Sequence, residues 1–156
     1  MLFDHFNLIK RKKLSYFKFS TNLKFNFIPD LKNIMLLQLL RVKIQELIVT
    51  ESSPDYPGSI ALPEEIIKAC GLRLFEQVHV NNLTNGNRII TYVIKSKTNG
   101  FVSLNGAASK KFNKGDKIHV LAFGYINADE DPEECQPTIV HADKDNMLIE
   151  AKQYSI

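Results

Sequence analysis

The sequence predicts a mainly β fold, a small β-barrel with one or two short helices. Three observations predict it. Short runs rich in β-branched residues recur at residues 36–50, 88–94 and 117–123. Tight turn signals separate such runs, the strongest being Thr84-Asn85-Gly86-Asn87, where Asn-Gly tolerates positive φ, and Lys114-Gly115-Asp116. Only residues 63–70 carry clear helix start and stop chemistry. With 156 residues, one compact domain with a real core is expected.

Each element has its own reason. In residues 36–50, Val42 and Ile44 alternate with Lys43, which puts the lysine on the opposite face of a strand. Ser52, Ser53, Pro54, Asp55 and Pro57 make residues 51–58 a loop, and 60–62 a short strand. Pro63 suits the first position of a helix, Glu64 and Glu65 suit its positive first turn, and Gly71 suits its end. Strands are expected at 75–80, 88–94, 101–104, 117–123 and 138–141, with a turn at 97–100. The small residues Asn105-Gly106-Ala107-Ala108 would let a ligand approach the backbone. Residues 127–137 are acidic, and the polar stretch from 143 onward carries no clear element.

Composition excludes several classes. Cys70 and Cys135 stand far apart without a CxxC pair, against a disulfide framework or zinc site and in keeping with a reducing cytoplasm. His79, His119 and His141 show no ligand spacing and read as surface or strand histidines, so no metal is expected. The longest apolar run, residues 34–40, is interrupted by Gln38 and too short to span a bilayer, so no membrane association is expected. The net charge of +3 is unevenly spread. Residues 1–34 hold seven basic residues and two acidic, net +5, and the rest 13 basic and 15 acidic, net −2. The body therefore offers no phosphate-binding face, and no nucleic-acid partner is expected. The first 34 residues are Phe-, Lys- and Asn-rich without a compact apolar centre or small-residue cleavage site. They read as a basic extension, disordered or not genuinely translated ahead of Met35.

The chemistry centres on Tyr56-Pro57-Gly58-Ser59. Gly58 leaves its carbonyl open to close approach, Pro57 biases Tyr56 to extended geometry, and Ser59 sets a hydroxyl beside that carbonyl. The arrangement suits an intramolecular attack on the chain. Taken alone, it reads as an ordinary Pro-Gly turn entering a strand.

More distant residues bear on that choice. Lys43, Tyr56-Pro57-Gly58-Ser59, Thr84-Asn85-Gly86-Asn87-Arg88, Thr91-Tyr92, Asn105-Gly106-Ala107-Ala108 and Gly115-Asp116 follow one another in an order that resembles the pyruvoyl-dependent aspartate 1-decarboxylase family over residues 35–149. The resemblance implies a double-psi β-barrel assembled as a homotetramer of cleaved α/β pairs. It implies conversion of L-aspartate to β-alanine and carbon dioxide, feeding pantothenate and coenzyme A synthesis. It implies cleavage between Gly58 and Ser59, with Ser59 becoming a covalent pyruvoyl group whose ketone forms a Schiff base with the substrate. It gives Tyr92 the proton-donor role, and substrate binding to Lys43, Arg88, Thr91, Asn105, Gly106, Ala107 and Ala108. A maturation factor is left open. Three features depart from the family pattern: Gln45 stands where a histidine is frequent, Pro57 occupies a variable position, and residues 1–34 have no counterpart. Two other readings compete. Residues 58–72 also look like the strand–helix–strand of swapped-hairpin DNA-binding regulators, although Glu64 and Glu65 sit where such modules carry bases. The third is a catalytically silent barrel.

Overall fold

The structure, a computed structural model, describes residues 35–56 and 58–154. The basic extension and Pro57 lie outside the described residues. The strands are β1 Leu36–Ile48, β2 Glu51–Ser53, β3 Ser59–Leu62, β4 Gln77–Asn82, β5 Arg88–Lys95, β6 Ser103–Asn105, β7 Lys117–Asn127, β8 Thr138–Ala142 and β9 Leu148–Gln153. Helix α1 spans Glu64–Ala69, and short 3-10 helices span Gly106–Lys111 and Pro132–Glu134. The strand order is β2-β6-β3-β5-β4-β7-β1-β8-β9. Pairs β1·β8, β2·β6 and β3·β5 are parallel and the other neighbours antiparallel. The fold is the expected mainly β class, a small double-psi barrel.

Alternation builds the core. Val42 and Ile44 of β1, Val78 and Val80 of β4, and Ile118, Val120 and Ala122 of β7 point inward and are buried. Every residue of β3 is buried, because that strand lies between β5 and β6 with α1 following it. Helix α1 buries Ile66 and Ile67. It ends as Gly71 predicted: Gly71 adopts φ 63°, its N–H donates to Lys68 O, and Leu72 N–H donates to Ile67 O.

The structure corrects four local expectations. Glu51–Ser53, expected in a loop, is a strand because β6 pairs alongside it, Glu51 opposite Ser103. The fourth strand begins at Gln77 rather than 75, since Phe75 sits at φ 68° in a turn. The sixth begins at Ser103 rather than 101 and runs to Asn105. The stretch after 143, expected to carry no clear element, contains strand β9. Asn146 makes the turn that returns it against β8, with φ 59°. The Asn146 side chain accepts from Ile48 N–H at 2.7 Å and donates to the carbonyls of Ile48 and Gly100, clamping the hairpin to β1.

Candidate active site

Ser59 opens β3 with only 1% of its surface exposed, and its φ of 159° is close to fully extended. Antiparallel pairing sets it opposite Asn105, the last residue of β6. Asn105 Nδ2 donates to Ser59 Oγ at 3.1 Å. Ser103, two residues back and on the same face of β6, donates from Oγ to Asn105 Oδ1 at 2.7 Å. The three buried polar side chains thus satisfy one another, as burial away from water requires.

Gly106 follows Asn105 and packs directly on the predicted cleavage segment. A Cβ there would lie 2.9 Å from Gly58 Cα, 3.0 Å from Gly58 N and 3.1 Å from Tyr56 O. Its φ is 61°, a left-handed conformation that side chains disfavour. Two independent constraints therefore demand glycine at 106. Ala107 is exposed, and Ala108 packs against the core. The small run Asn105–Ala108 is thus a strand end passing into a 3-10 helix, not a plain turn. The C-terminal end of this helix is tied to β2: Ser52 Oγ donates to Ser109 O at 3.0 Å and Phe112 O at 2.7 Å.

Tyr92 lies on β5, the other neighbour of β3. Ile60 pairs with Val93 in parallel register, so Ser59 and Tyr92 are level on adjacent strands. Tyr92 is 39% exposed, while adjacent Thr91 points to the other face and is half-buried. A cavity of about 170 Å³ adjoins this corner, bordered by Tyr56, Ser103, Asn105, Lys95, Lys97 and Phe101 among others. Lys95 is engaged there by Glu64 at the start of α1. Hydrogen bonds from Lys95 and then Lys68 lower the Glu64 pKa from 4.5 to about 2.

The structure does not bring every predicted site residue together. Lys43 is on β1, and β5, β4 and β7 intervene between β1 and β3 in the sheet. Lys43 lines a separate cavity of about 640 Å³ with Gln45, Ile139, His141, Lys152 and Tyr154 among others. Arg88 starts β5, four residues from Tyr92 and on the same outer face. Among the described residues neither Lys43 nor Arg88 is paired with a carboxylate. The sequence reading missed Ser103, whose signal was its two-residue spacing from Asn105. Among the described residues no helix is long and apolar enough to cross a membrane.

The sequence that forms this barrel matches known proteins. A profile of the aspartate decarboxylase family matches residues 35–149, and the chain belongs to that family. It is 42% identical over 116 residues to an aspartate 1-decarboxylase of Gloeobacter violaceus, covering 74% of this chain and 98% of the relative. The aspartate 1-decarboxylase of Coprothermobacter proteolyticus is 41% identical over 120 residues, covering 76% of this chain and 98% of the relative. That of Stenotrophomonas maltophilia is 39% identical over 115 residues, covering 73% and 90%. The resemblance seen in the motifs therefore extends over the whole barrel, and the DNA-binding reading, which rested on residues 58–72 alone, gives way to it.

Proposed function

We propose that this chain cleaves itself between Gly58 and Ser59 and decarboxylates L-aspartate to β-alanine and carbon dioxide, feeding pantothenate and coenzyme A synthesis. Family membership supports the activity. The observation that carries the self-processing is the buried Ser59 hydroxyl, held by Asn105 beside a segment against which Gly106 packs closely. Residues 35–149 are the catalytic body, divided by the cut into a short N-terminal β chain and a longer α chain.

The processing chemistry uses only the chain's own atoms and water. Ser59 Oγ attacks the Gly58 carbonyl carbon, and the peptide nitrogen leaves, giving an ester. Elimination across Cα–Cβ of residue 59 releases the Gly58 carboxylate and leaves dehydroalanine. Hydrolysis of its imine tautomer releases ammonia and leaves a pyruvoyl cap. The residues fit that group, because the buried Ser59 hydroxyl follows Gly58 directly in the chain and accepts from the Asn105 side chain. Once formed, the pyruvoyl group supplies the electron sink that decarboxylation of an α-amino acid needs.

The remaining residues handle substrate and proton. Tyr92, level with Ser59, returns a proton to the carbon that has lost carbon dioxide; a phenol's high pKa suits a carbon base. Thr91 adds a hydroxyl on the inner side. Arg88 and Lys43 hold the two carboxylates, Arg88 through a bidentate fork. The backbone of Asn105, Gly106, Ala107 and Ala108 limits the substrate to a small molecule.

A homotetramer accounts for the placement of Lys43. Three strands lie between the lysine's strand and that of Ser59 within one chain, so a second copy brings its own Ser59 to this Lys43. Ile90, 61% exposed on the outer face of β5, offers apolar ground for that contact.

Intact mass under denaturing conditions tests the reading. Two fragments are expected, the larger starting at residue 59 and lighter by one ammonia than a free seryl terminus. Ser59→Ala should give one uncut, inactive chain. Wild-type protein that remains uncut alone but is cut in cell extract assigns the step to a maturation factor; no cut in either rejects self-processing.

A further inference from the structure

Three Asn-Gly pairs stand in this chain, at 85–86, 99–100 and 105–106. Such a pair carries a reaction of its own. The backbone nitrogen of the glycine can close on the amide carbon of the asparagine side chain, because a residue without a Cβ leaves that approach open. The fold treats the three pairs differently.

Two of them are held. Asn85 Nδ2 donates to Lys111 O at 3.2 Å, and its Oδ1 accepts from Asn87 N–H at 2.9 Å. The Gly86 N–H donates to Asn82 O at 2.9 Å, so the attacking nitrogen is engaged as well. Asn105 is 4% exposed, and its side chain is fixed between Ser103 and Ser59. Its ψ of 154° is that of a strand, which keeps the Gly106 nitrogen away from the side chain.

Asn99 differs. It is exposed, in the turn between β5 and β6. Among the described residues, neither its side chain nor the Gly100 N–H makes a hydrogen bond, and the turn is closed by Phe101 N–H to Thr98 O at 3.4 Å. A turn closed by one long bond opens at little cost. The same turn is docked on another part of the barrel. Gly100 O accepts from Asn146 Nδ2 at 2.9 Å, and a Cβ on Gly100 would lie 2.6 Å from Asp145 O.

We propose that Asn99 is a site of spontaneous modification whose product undoes this docking. The Gly100 nitrogen bonds to Asn99 Cγ and loses its proton, Nδ2 leaves as ammonia, and a five-membered cyclic imide results. Water opens the ring at either carbonyl. Opening at Cγ gives aspartate; opening at the main-chain carbonyl gives isoaspartate, with the chain running through the side chain. No co-reactant besides water is consumed. Aspartate changes the charge alone, whereas isoaspartate adds one methylene to the backbone ahead of Gly100 and so shifts Gly100 O off Asn146 Nδ2.

The test is to age the full-length protein in warm, mildly alkaline buffer, digest it at low pH, and follow exchange of amide for carboxyl in the peptides by mass spectrometry. Asn99 should convert at least about tenfold faster than Asn85 or Asn105, whose closure must first break two or more hydrogen bonds. In denaturant the three pairs lose the fold and should convert within about threefold of one another. Asn99→Ser should show no conversion at 99. Equal rates in the folded protein, or the folded ordering kept in denaturant, overturn the proposal. The isoaspartyl form, separated by chromatography, should melt at least about 2 °C below a fresh Asn99→Asp protein, which carries the charge on an ordinary backbone. Equal melting of the two overturns the undocking.

Discussion

The corner around Ser59 and the outer strand faces that carry Arg88 and Lys43 are built on opposite principles. In the corner, Ser103, Asn105 and Ser59 are buried and linked by hydrogen bonds, and Gly106 is pressed against Gly58. On those faces, among the described residues, Arg88 and Lys43 have no carboxylate partner and the buried Asn81 Oδ1 has no donor. A reaction of the chain on itself needs all its groups fixed beforehand, and the corner has them. A site for a charged small molecule must leave its complementary groups open, and those faces leave them so. Substitutions should therefore separate the two: changes in the corner should act on cleavage, and changes on the outer face should act on turnover.

Tyr92→Phe should separate them most widely. The ring still covers the outer face of β5, so the barrel and the cut should be unaffected. Losing a positioned acid costs about 10²–10⁴ in rate. We expect a fully cut protein whose kcat falls by at least about 10². A normal kcat removes Tyr92 from the acid role. An uncut chain would join Tyr92 to the corner and break the comparison.

Gly106→Ala should act in the opposite sense. The substitution forces a side chain into φ 61° and sets a Cβ 2.9 Å from Gly58 Cα. The conformational part alone costs roughly 1–2 kcal/mol. Displacement of the cleavage segment should slow processing at least about tenfold, read as the cut fraction against time by mass spectrometry. Circular dichroism should show the barrel retained. Processing at the wild-type rate would mean that the backbone of 56–58 is not positioned by Gly106.

How much of this was legible before the structure depended on the distance over which each signal acts. Pro63, Glu64, Glu65 and Gly71 announced α1 because caps act within one turn. The turn at Gly86 was legible for the same reason, and its φ is 78°. Strand β2 was not legible, because its composition is that of a loop and only pairing with β6 makes it a strand. Strand β9 depended likewise on β8. Within the site, Gly58 and Ser59 declared themselves by adjacency. Ser103 did not, since it matters only through Asn105, which meets Ser59 across a strand pair. His119 and His141 were searched for spacing along the chain, whereas register brings His141 level with Gln45 and His119 level with Asn81.

The smallest effect is expected at Ser103, and it measures how finely the corner is set. Its hydroxyl holds Asn105 Oδ1, which turns Nδ2 toward Ser59 Oγ. Strand pairing of Ser59 with Asn105 fixes the backbone regardless. Ser103→Ala therefore loses only the control over the amide's rotation. A typical hydrogen bond contributes about 1 kcal/mol, which bounds the slowing of cleavage at about fivefold. Ser103→Thr keeps the hydroxyl on a strand-compatible side chain and should recover much of that loss. Turnover by the cut enzyme should change less than cleavage does. If kcat for L-aspartate falls further than the cleavage rate, Asn105 serves the substrate more than it serves Ser59, and the boundary between the two regions runs through this residue rather than beside it.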